Sequence, residues 1–171
     1  MREYSELIRR VDEVAQALEK GVHQKRLQCR AGCRGCCTLS SVLPLEAAML
    51  RHAVARLDEG LRMRIRHNSG ESPCPFLLDS LCAIYPSRPL ICRTHGLPIA
   101  YVDHARQTVE VSACPLNFSD LYEFSQDELL FIDPFNAELA QLNSAYCAGQ
   151  GIPAEVRVLL ADIACFGIRT N

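Results

Sequence analysis

The sequence predicts a mainly α-helical fold: a single compact domain over residues 1–171, with several helices, a small β-hairpin and a cysteine-rich irregular core. Three observations predict it. Apolar residues recur at helical spacing towards both ends of the chain, two short alternating segments flank a polar turn, and most cysteines lie in turn-rich sequence between the helical parts. Because 49% of the 171 residues are hydrophobic, the chain can bury a core without covalent crosslinks.

The first predicted helix covers residues 4–27 and has one apolar face. The residues of that face are Leu7, Ile8, Val11, Val14, Ala15, Leu18 and Val22. A second helix is predicted to begin at Pro44, because proline is favoured in the first helical turn. It is expected to break near Gly60 and to end at the turn signal Asn68-Ser69-Gly70.

The middle of the chain is predicted to have only short regular elements. Residues 72–98 contain five prolines and three cysteines, so long helices and strands are excluded there. Two strands are predicted at 99–102 and 108–112, around the polar turn 103–107. We expect this hairpin to bring Cys114 towards Cys92.

The C-terminal flank, residues 120–167, is predicted to be helical. Ser125 and Glu128 have the spacing of a capping box, and one helix is predicted near 135–148. Pro153 would open another helix over 153–166. A cysteine-rich region at 27–115 then lies between two helical flanks, 4–27 and 120–167.

The charge pattern excludes several classes of partner. The chain has 18 Lys and Arg against 20 Asp and Glu, without the basic block typical of a nucleic-acid surface. No apolar run approaches the ~20 residues that span a bilayer, and the N-terminus lacks the apolar segment of a secretory signal. We therefore expect a cytoplasmic protein without a nucleic-acid or membrane partner. In that reducing compartment, clustered cysteines bind metal or catalyse more often than they form disulfides.

The segment CRAGCRGCC, residues 29–37, has four cysteines in nine positions. Gly32 and Gly35 allow the sharp backbone turns that bring several sulfurs to one point. Cys33 and Cys36 have the spacing at which two thiolates chelate one ion or two corners of a cluster. A disulfide framework and a redox CxxC motif are the alternatives, but the second normally accompanies a parallel βαβ pattern, which is not found here.

Eight cysteines in turn-rich sequence are the candidate metal ligands: Cys29, Cys33, Cys36, Cys37, Cys74, Cys82, Cys92 and Cys114. They suffice for two centres of four thiolates, or for one centre with spare thiols. Adjacent Cys36 and Cys37 cannot easily share one metal atom, because neighbouring side chains point apart in an extended chain. Cys147 and Cys165 lie in apolar helical patterns and are expected to be buried core residues.

Several other side chains accompany the cysteines. Arg88 and Arg93 are candidates to bind the cofactor from the surrounding shell, by donating hydrogen bonds to the sulfurs, although Arg88 equally fits a partner at a helix-end carbonyl. Tyr85 and Phe76 are expected to pack over the centre. Glu46 is interpreted as a helix-terminal carboxylate stabilised by the helix dipole, in preference to a metal contact. The histidines without companions at ligand spacing are expected at the surface: His23, His52, His67 and His104.

A longer signature extends the cysteine pattern and resembles a known family. Downstream of the Cys36-Cys37 pair and Glu46 the chain has CPFL at 74–77, CAIY at 82–85, RP at 88–89 and CR at 92–93. Over residues 27–115 this combination resembles the cysteine-cluster proteins of the YkgJ type, named for a CxxCxxCC motif. The chain departs from that motif in having three residues between Cys29 and Cys33. The resemblance implies chelation of zinc or of an iron–sulfur centre.

Ligand type alone does not choose between these metals, because zinc and 4Fe-4S clusters both accept four thiolates. The later cysteines are separated by 7, 9 and 21 residues, a spacing that favours a cluster wrapped by irregular loops over a zinc ribbon. We therefore expect a metal-binding protein with an iron–sulfur cluster and a redox or metal-handling role. A zinc-stabilised interaction module and a metal-dependent modifying enzyme of unknown substrate are the alternatives.

Overall fold

The computed structural model describes residues 1–68, 74–119 and 123–165. This part of the chain has six α-helices and seven short strands, and the α-helices together with two 3₁₀ turns hold 48% of it. The prediction of a mainly α-helical fold is confirmed. Contacts group the described residues into two compact units. Unit 1 consists of residues 1–30 and 93–141, and unit 2 consists of 31–92 and 142–165.

Unit 1 begins with helix α1, Arg2–Lys20. The predicted apolar face is buried at Leu7, Ile8, Val11 and Ala15, whereas Val14 and Val22 are exposed. The helix ends well before residue 27, because Gly21 disfavours helix and the chain continues in turns to residue 26. The predicted boundary was therefore wrong by seven residues.

The hairpin of unit 1 confirms the two predicted strands. Strand β4, Ile99–Asp103, pairs antiparallel with β5, Thr108–Ser112. A third strand, β6 at Leu130–Phe131, adds in parallel on the other side of β4. At two residues, β6 is too short for its sequence pattern to indicate a strand.

Helix α5, Asp133–Gln150, confirms the helix predicted near 135–148. The capping box is also present, since the backbone N–H and hydroxyl of Ser125 donate to Glu128 at 3.0 and 2.9 Å. It opens only a single 3₁₀ turn, Gln126–Glu128, because the chain then extends into β6.

Unit 2 contains helices α2, Pro44–Ala55, and α3, Glu59–Asn68, which confirm the helix start at Pro44. The break falls at residues 56–58 and leaves Gly60 inside α3; positions 69 and 70 of the predicted turn lie outside the described residues. The buried apolar residues that form the core of this unit are Val42, Ala47, Leu50, Val54, Ile65, Phe76, Ile84, Leu160, Ile163 and Ala164.

The helix predicted over 153–166 is present only in part, and position 166 lies outside the described residues. Strand β1, Ser41–Val42, pairs antiparallel with β7, Val158–Leu159, and helix α6 covers only Leu160–Ala164. The cause is the pairing with β1, which holds Val158 and Leu159 in an extended conformation. Such pairing between distant segments leaves no local signal.

The segment that contains the later cysteines has only short regular elements, as predicted. Strands β2, Leu77–Leu78, and β3, Leu81–Cys82, form a hairpin around two residues with positive φ. A 3₁₀ turn at Tyr85–Ser87 and helix α4, Leu90–Thr94, follow. None of the helices in the described part of the chain is both long and apolar enough to cross a membrane.

Candidate metal centre

The predicted ligands divide between the two units. Cys29 and Cys114 belong to unit 1, and the other six belong to unit 2: Cys33, Cys36, Cys37, Cys74, Cys82 and Cys92. Cys29 and Cys33 are exposed, whereas the remaining six predicted ligands are half-buried.

Four of these thiols in unit 2 are close enough for their charges to interact, and we call them the thiol quartet: Cys37, Cys74, Cys82 and Cys92. Burial raises the pKa of Cys92 to about 12, and Cys74, Cys82 and Cys37 contribute to the increase while Arg88 opposes it. Burial also raises the pKa of Cys74 and of Cys82, with further contributions from charged neighbours in the quartet. Ionising these thiols together therefore requires a compensating cation.

Backbone amides point at two sulfurs of the quartet. Hydrogen bonding from the backbone N–H groups of Phe76 and Leu77 opposes the rise in the pKa of Cys74, and that from Ile84 opposes the rise for Cys82. Each bond lowers the pKa of its thiol, because it favours the ionised form. The N–H of Leu77 also donates to the carbonyl oxygen of Cys74 at 3.2 Å. In CPFL, Pro75 has no N–H of its own, and the turn presents the next two amides to the cysteine. The motif thus supplies hydrogen bonds to sulfur as well as a ligand.

The aromatic residues near the quartet have different positions. Phe76 is 1% exposed and belongs to the core of unit 2, against which Cys74 and Cys82 pack. Tyr85 is 59% exposed, and that it covers the centre stays a prediction. Its place at the start of a surface 3₁₀ turn explains the exposure.

Arg88 is held beside the quartet by its own turn. Its Nε donates to the carbonyl oxygen of Tyr85 at 3.2 Å, and its Nη1 donates to that of Cys92 at 3.1 Å. The guanidinium carbon lies 3.7 Å from the centroid of the Tyr85 ring. The positive charge lowers the pKa of both Cys82 and Cys92. Arg88 thus combines a carbonyl partner with an electrostatic effect on two thiols.

Arg93 belongs to unit 1, where its Nη1 donates to the carboxylate of Asp12 in α1 at 2.6 Å. Its side chain is 8% exposed. The bond anchors the residue after Cys92 to a helix. That Arg93 donates to a sulfur stays a prediction.

Glu46 links two helices of unit 2. It lies in the first turn of α2, as predicted, and is 5% exposed. Its carboxylate accepts from the backbone N–H of Leu43 at 3.4 Å and from that of Leu90, the first residue of α4, at 3.1 Å. Burial raises its pKa, although these two bonds and Arg157 oppose the change. The link to Leu90, two positions before Cys92, could not be predicted from sequence spacing.

The first cysteine segment turns at one of its two glycines. Gly32 has φ +91°, whereas Gly35 is not among the glycines with positive φ in the described residues. The N–H of Cys37 donates to the carbonyl oxygen of Arg34 at 3.0 Å, which closes a second turn. Cys37 follows this turn, and its charge raises the pKa of the later cysteines Cys74, Cys82 and Cys92.

In unit 1 a residue that the sequence analysis missed contacts Cys29. The amide Nδ2 of Asn117 lies 3.3 Å from the Cys29 sulfur. The two residues are 88 positions apart, and Asn117 belongs to none of the recognised motif elements. No signal in the sequence could have found it.

Three expectations outside the quartet are settled by burial. Cys147 is buried, as predicted. Cys165 is exposed, which was not expected, because α6 ends at Ala164 and leaves it at the helix end.

His23 is fully buried and its Nε2 lies 2.7 Å from the carbonyl oxygen of Glu128, so its expected surface position was wrong. The turns after Gly21 bring it inside, whereas His52, His67 and His104 are exposed as expected.

The donor chemistry of the quartet fits a thiophilic metal. Zinc and iron–sulfur centres both take four thiolates, and metal binding displaces the protons of such thiols. Within residues 1–68, 74–119 and 123–165, however, no three Cys, His, Asp or Glu side chains are arranged to hold a metal ion as they stand. Metal binding by the quartet therefore requires its side chains to move together. The full ligand set stays a prediction.

Comparison with known proteins agrees with this chemistry. The model of the CxxCxxCC family, described as "Putative zinc- or iron-chelating domain", matches residues 28–115, a little over half of the chain. No curated protein and no solved structure matches the chain. The matched range contains the quartet, Glu46, Arg88 and the hydrogen-bonded CPFL turn. The chain therefore belongs to the CxxCxxCC family of zinc- or iron-chelating domains.

Proposed function

We propose that this protein binds an iron–sulfur cluster of the 4Fe-4S type through the thiol quartet, and that the cluster serves a redox or metal-handling role. The observation that carries the proposal is that Cys37, Cys74, Cys82 and Cys92 come from separate segments of unit 2, are half-buried and lie near enough for their charges to raise the pKa of Cys74, Cys82 and Cys92. Four thiolates are the usual ligand set of such a cluster. The irregular spacing of the four residues also favours it over a zinc ribbon.

The surroundings of the quartet support this choice. Hydrogen bonds to sulfur, burial and nearby positive charge are the main means by which a protein adjusts the reduction potential of a cluster. Here hydrogen bonding from the amides of Phe76, Leu77 and Ile84 lowers the pKa of two thiols, and Arg88 supplies the positive charge. When bound, an iron–sulfur cluster supplies one-electron transfer.

The chain itself positions the ligands and limits access of water. Phe76 buries one side of the hairpin with Cys74 and Cys82, and Glu46 fixes the first residue of α4, the helix of Cys92. We place the protein in the cytoplasm, since thiolate ligands remain reduced there.

Anaerobic reconstitution with iron and sulfide tests the ligand set. The wild type should develop broad visible absorption, and each serine substitution in the quartet should reduce it: C37S, C74S, C82S and C92S. Cys165→Ser is the matched control, because this thiol is exposed and outside the predicted ligands. An absorption spectrum unchanged in the four quartet variants, or lost equally in the control, would contradict the proposal.

A zinc-stabilised structural module is a second candidate, and the packing of Cys74 and Cys82 against the core of unit 2 favours it. A metal held by these residues would stabilise that core directly, since metal binding is coupled to folding. Protein that is isolated without oxygen and holds stoichiometric zinc, with neither iron nor sulfide, would support this candidate instead.

A further inference from the structure

Asn117 has a side chain whose bonding groups are all used within unit 1. Its Oδ1 accepts from the backbone N–H of Gln28 at 2.9 Å. Its Nδ2 donates to the carbonyl oxygen of Gly96 at 2.8 Å and to the sulfur of Cys29 at 3.3 Å. The residue is 8% exposed, so water competes little for these bonds. The carboxamide is therefore fixed in orientation, with one N–H directed at the sulfur.

The backbone of Asn117 is bonded to the second cysteine of unit 1. Its N–H donates to the carbonyl oxygen of Cys114 at 3.0 Å, and the N–H of Phe118 donates to the same oxygen at 2.9 Å. One residue thus contacts both predicted ligands of this unit, through its side chain and through its main chain. A displacement of Asn117 would affect Cys29 and the turn that begins at Cys114 together.

Gly96 lies beside Asn117 and also contacts the Cys29 sulfur. A Cβ atom at this position would lie 2.8 Å from that sulfur and 3.4 Å from Nδ2 of Asn117. The first distance is shorter than any normal van der Waals contact, so a larger residue would displace the sulfur. Gly96 also has φ +102°, a conformation that other residues rarely adopt. Asn117 and Gly96 therefore contact the sulfur from the same side, the first through a donor and the second through its missing side chain.

We propose that Asn117 is a positioning residue for metal binding, which orients the sulfur of Cys29 and stabilises it as a thiolate ligand by an N–H···S hydrogen bond. The inference rests on the proposed function and extends it, because it assumes that Cys29, which lies outside the thiol quartet, also binds metal. It also accounts for the departure from the family motif. The position of the Cys29 sulfur is set by its contacts with Asn117 and Gly96. It does not depend on the number of residues between Cys29 and Cys33, so the fold tolerates the additional residue.

Cobalt(II) is the probe for this inference, because its thiolate charge-transfer absorption reports each bound sulfur. The full chain is loaded without oxygen, and the spectrum of wild type is compared with those of C29S, N117D, G96A and G151A. Asn117→Asp keeps the size of the side chain and the acceptor for Gln28, but it removes the donor. Gly151→Ala is the matched control for Gly96→Ala, since Gly151 also has positive φ, at +67°, but nothing lies within 4 Å of its Cβ position.

We expect C29S to lose part of the charge-transfer intensity, and N117D and G96A to lose the same part, while G151A keeps the wild-type spectrum. An unchanged spectrum in N117D and G96A would overturn the inference, as would an equal loss in G151A. An unchanged spectrum in C29S would also overturn it while leaving the proposed function intact. If the wild type bound no cobalt at all, the inference would be overturned, whereas the proposed function would stand or fall on the reconstitution with iron and sulfide.

Circular dichroism of the metal-free variants separates loss of the fold from loss of the ligand. If Asn117 had only a structural role, N117D would melt at a lower temperature than the wild type, but the cobalt spectrum of its folded fraction would be unchanged. Where N117D does not fold, the pair G96A and G151A decides the question. Both replace a glycine at positive φ, but only the first displaces the Cys29 sulfur.

Discussion

At the scale of single residues, Arg88 connects the metal chemistry most directly with the surrounding protein. It lowers the pKa of Cys82 and Cys92, donates to the carbonyl oxygen of Cys92 and lies over the ring of Tyr85. Lysine can replace the charge of arginine but not the planar guanidinium that makes these contacts simultaneously.

We expect Arg88→Ala to weaken metal retention by about 10–100-fold, the usual effect of removing a group that supports metal ligands. Arg88→Lys should recover only part of this loss. Competition with a chelator of known affinity measures the change, and Arg106→Ala is the control because Arg106 is 73% exposed and lies in unit 1. Retention by Arg88→Ala equal to that of the control would exclude the electrostatic role.

His23 gives a prediction about stability. Because a carbonyl oxygen only accepts, its Nε2 must carry the proton that is shared with Glu128. His23→Ala would remove this hydrogen bond to the half-buried Glu128 and the edge-to-face contact with Phe118, whose ring centroid lies at 5.0 Å.

The expected loss for His23→Ala is about 1–3 kcal/mol in the free energy of unfolding, measured by urea denaturation. His104→Ala, at an exposed site, should stay within about 0.5 kcal/mol of the wild type. Equal stabilities of the two variants would show that the His23 bond contributes nothing.

At the scale of elements, Glu46 is the residue that joins α2 to α4. Burial raises its pKa above the ordinary value of 4.5. The folded chain therefore binds the proton more tightly than the unfolded chain, so the contribution of Glu46 to stability is fully present below about pH 4.5 and is lost as the pH rises through the raised pKa.

Glu46→Gln removes this titration. We expect the wild type to lose stability relative to Glu46→Gln as the pH rises from about 4.5 to 7, measured as the difference in free energy of unfolding. Glu59→Gln is the matched control for an exchange in a first helical turn, since Glu59 begins α3 and is exposed. A wild type that gained stability relative to Glu46→Gln over this range would contradict the assignment.

Elements with strong local patterns were predictable, and elements that depend on distant partners were not. The apolar face of α1, the proline that begins α2 and the alternation in β4 and β5 all lie within one segment of the chain. By contrast, β7 exists because it pairs with β1 more than 110 residues earlier, and this pairing converts the start of a predicted helix into a strand. The candidate cysteines followed from spacing, whereas the Asn117 contact depends on tertiary structure alone.

At the scale of the whole molecule, the predicted ligands occur in both compact units, and Cys74 and Cys82 of the quartet pack against the core of unit 2. No three potential ligand side chains in the described ranges are arranged for metal as they stand. Metal binding would move these side chains together, and its free energy would add to the stability of the fold.

Removal of the metal should accordingly lower the melting temperature of the full chain by an amount on the order of 10 °C, for a binding free energy of a few kcal/mol. Differential scanning calorimetry with and without chelator measures the change. The double variant Cys74→Ser/Cys82→Ser is the control and should show little effect of the chelator. If the chelator lowered the melting temperature of the wild type and of the double variant by the same amount, the stabilising metal would not be bound by Cys74 and Cys82.

The central claim, that the thiol quartet holds an iron–sulfur cluster, is tested most directly by chemical analysis of protein isolated without oxygen. Iron, acid-labile sulfide and zinc are measured in the same sample of wild type and of Cys92→Ser. The wild type is predicted to contain iron and sulfide in about equal molar amounts, and Cys92→Ser to contain much less of both. Stoichiometric zinc without iron or sulfide in the wild type would contradict the claim.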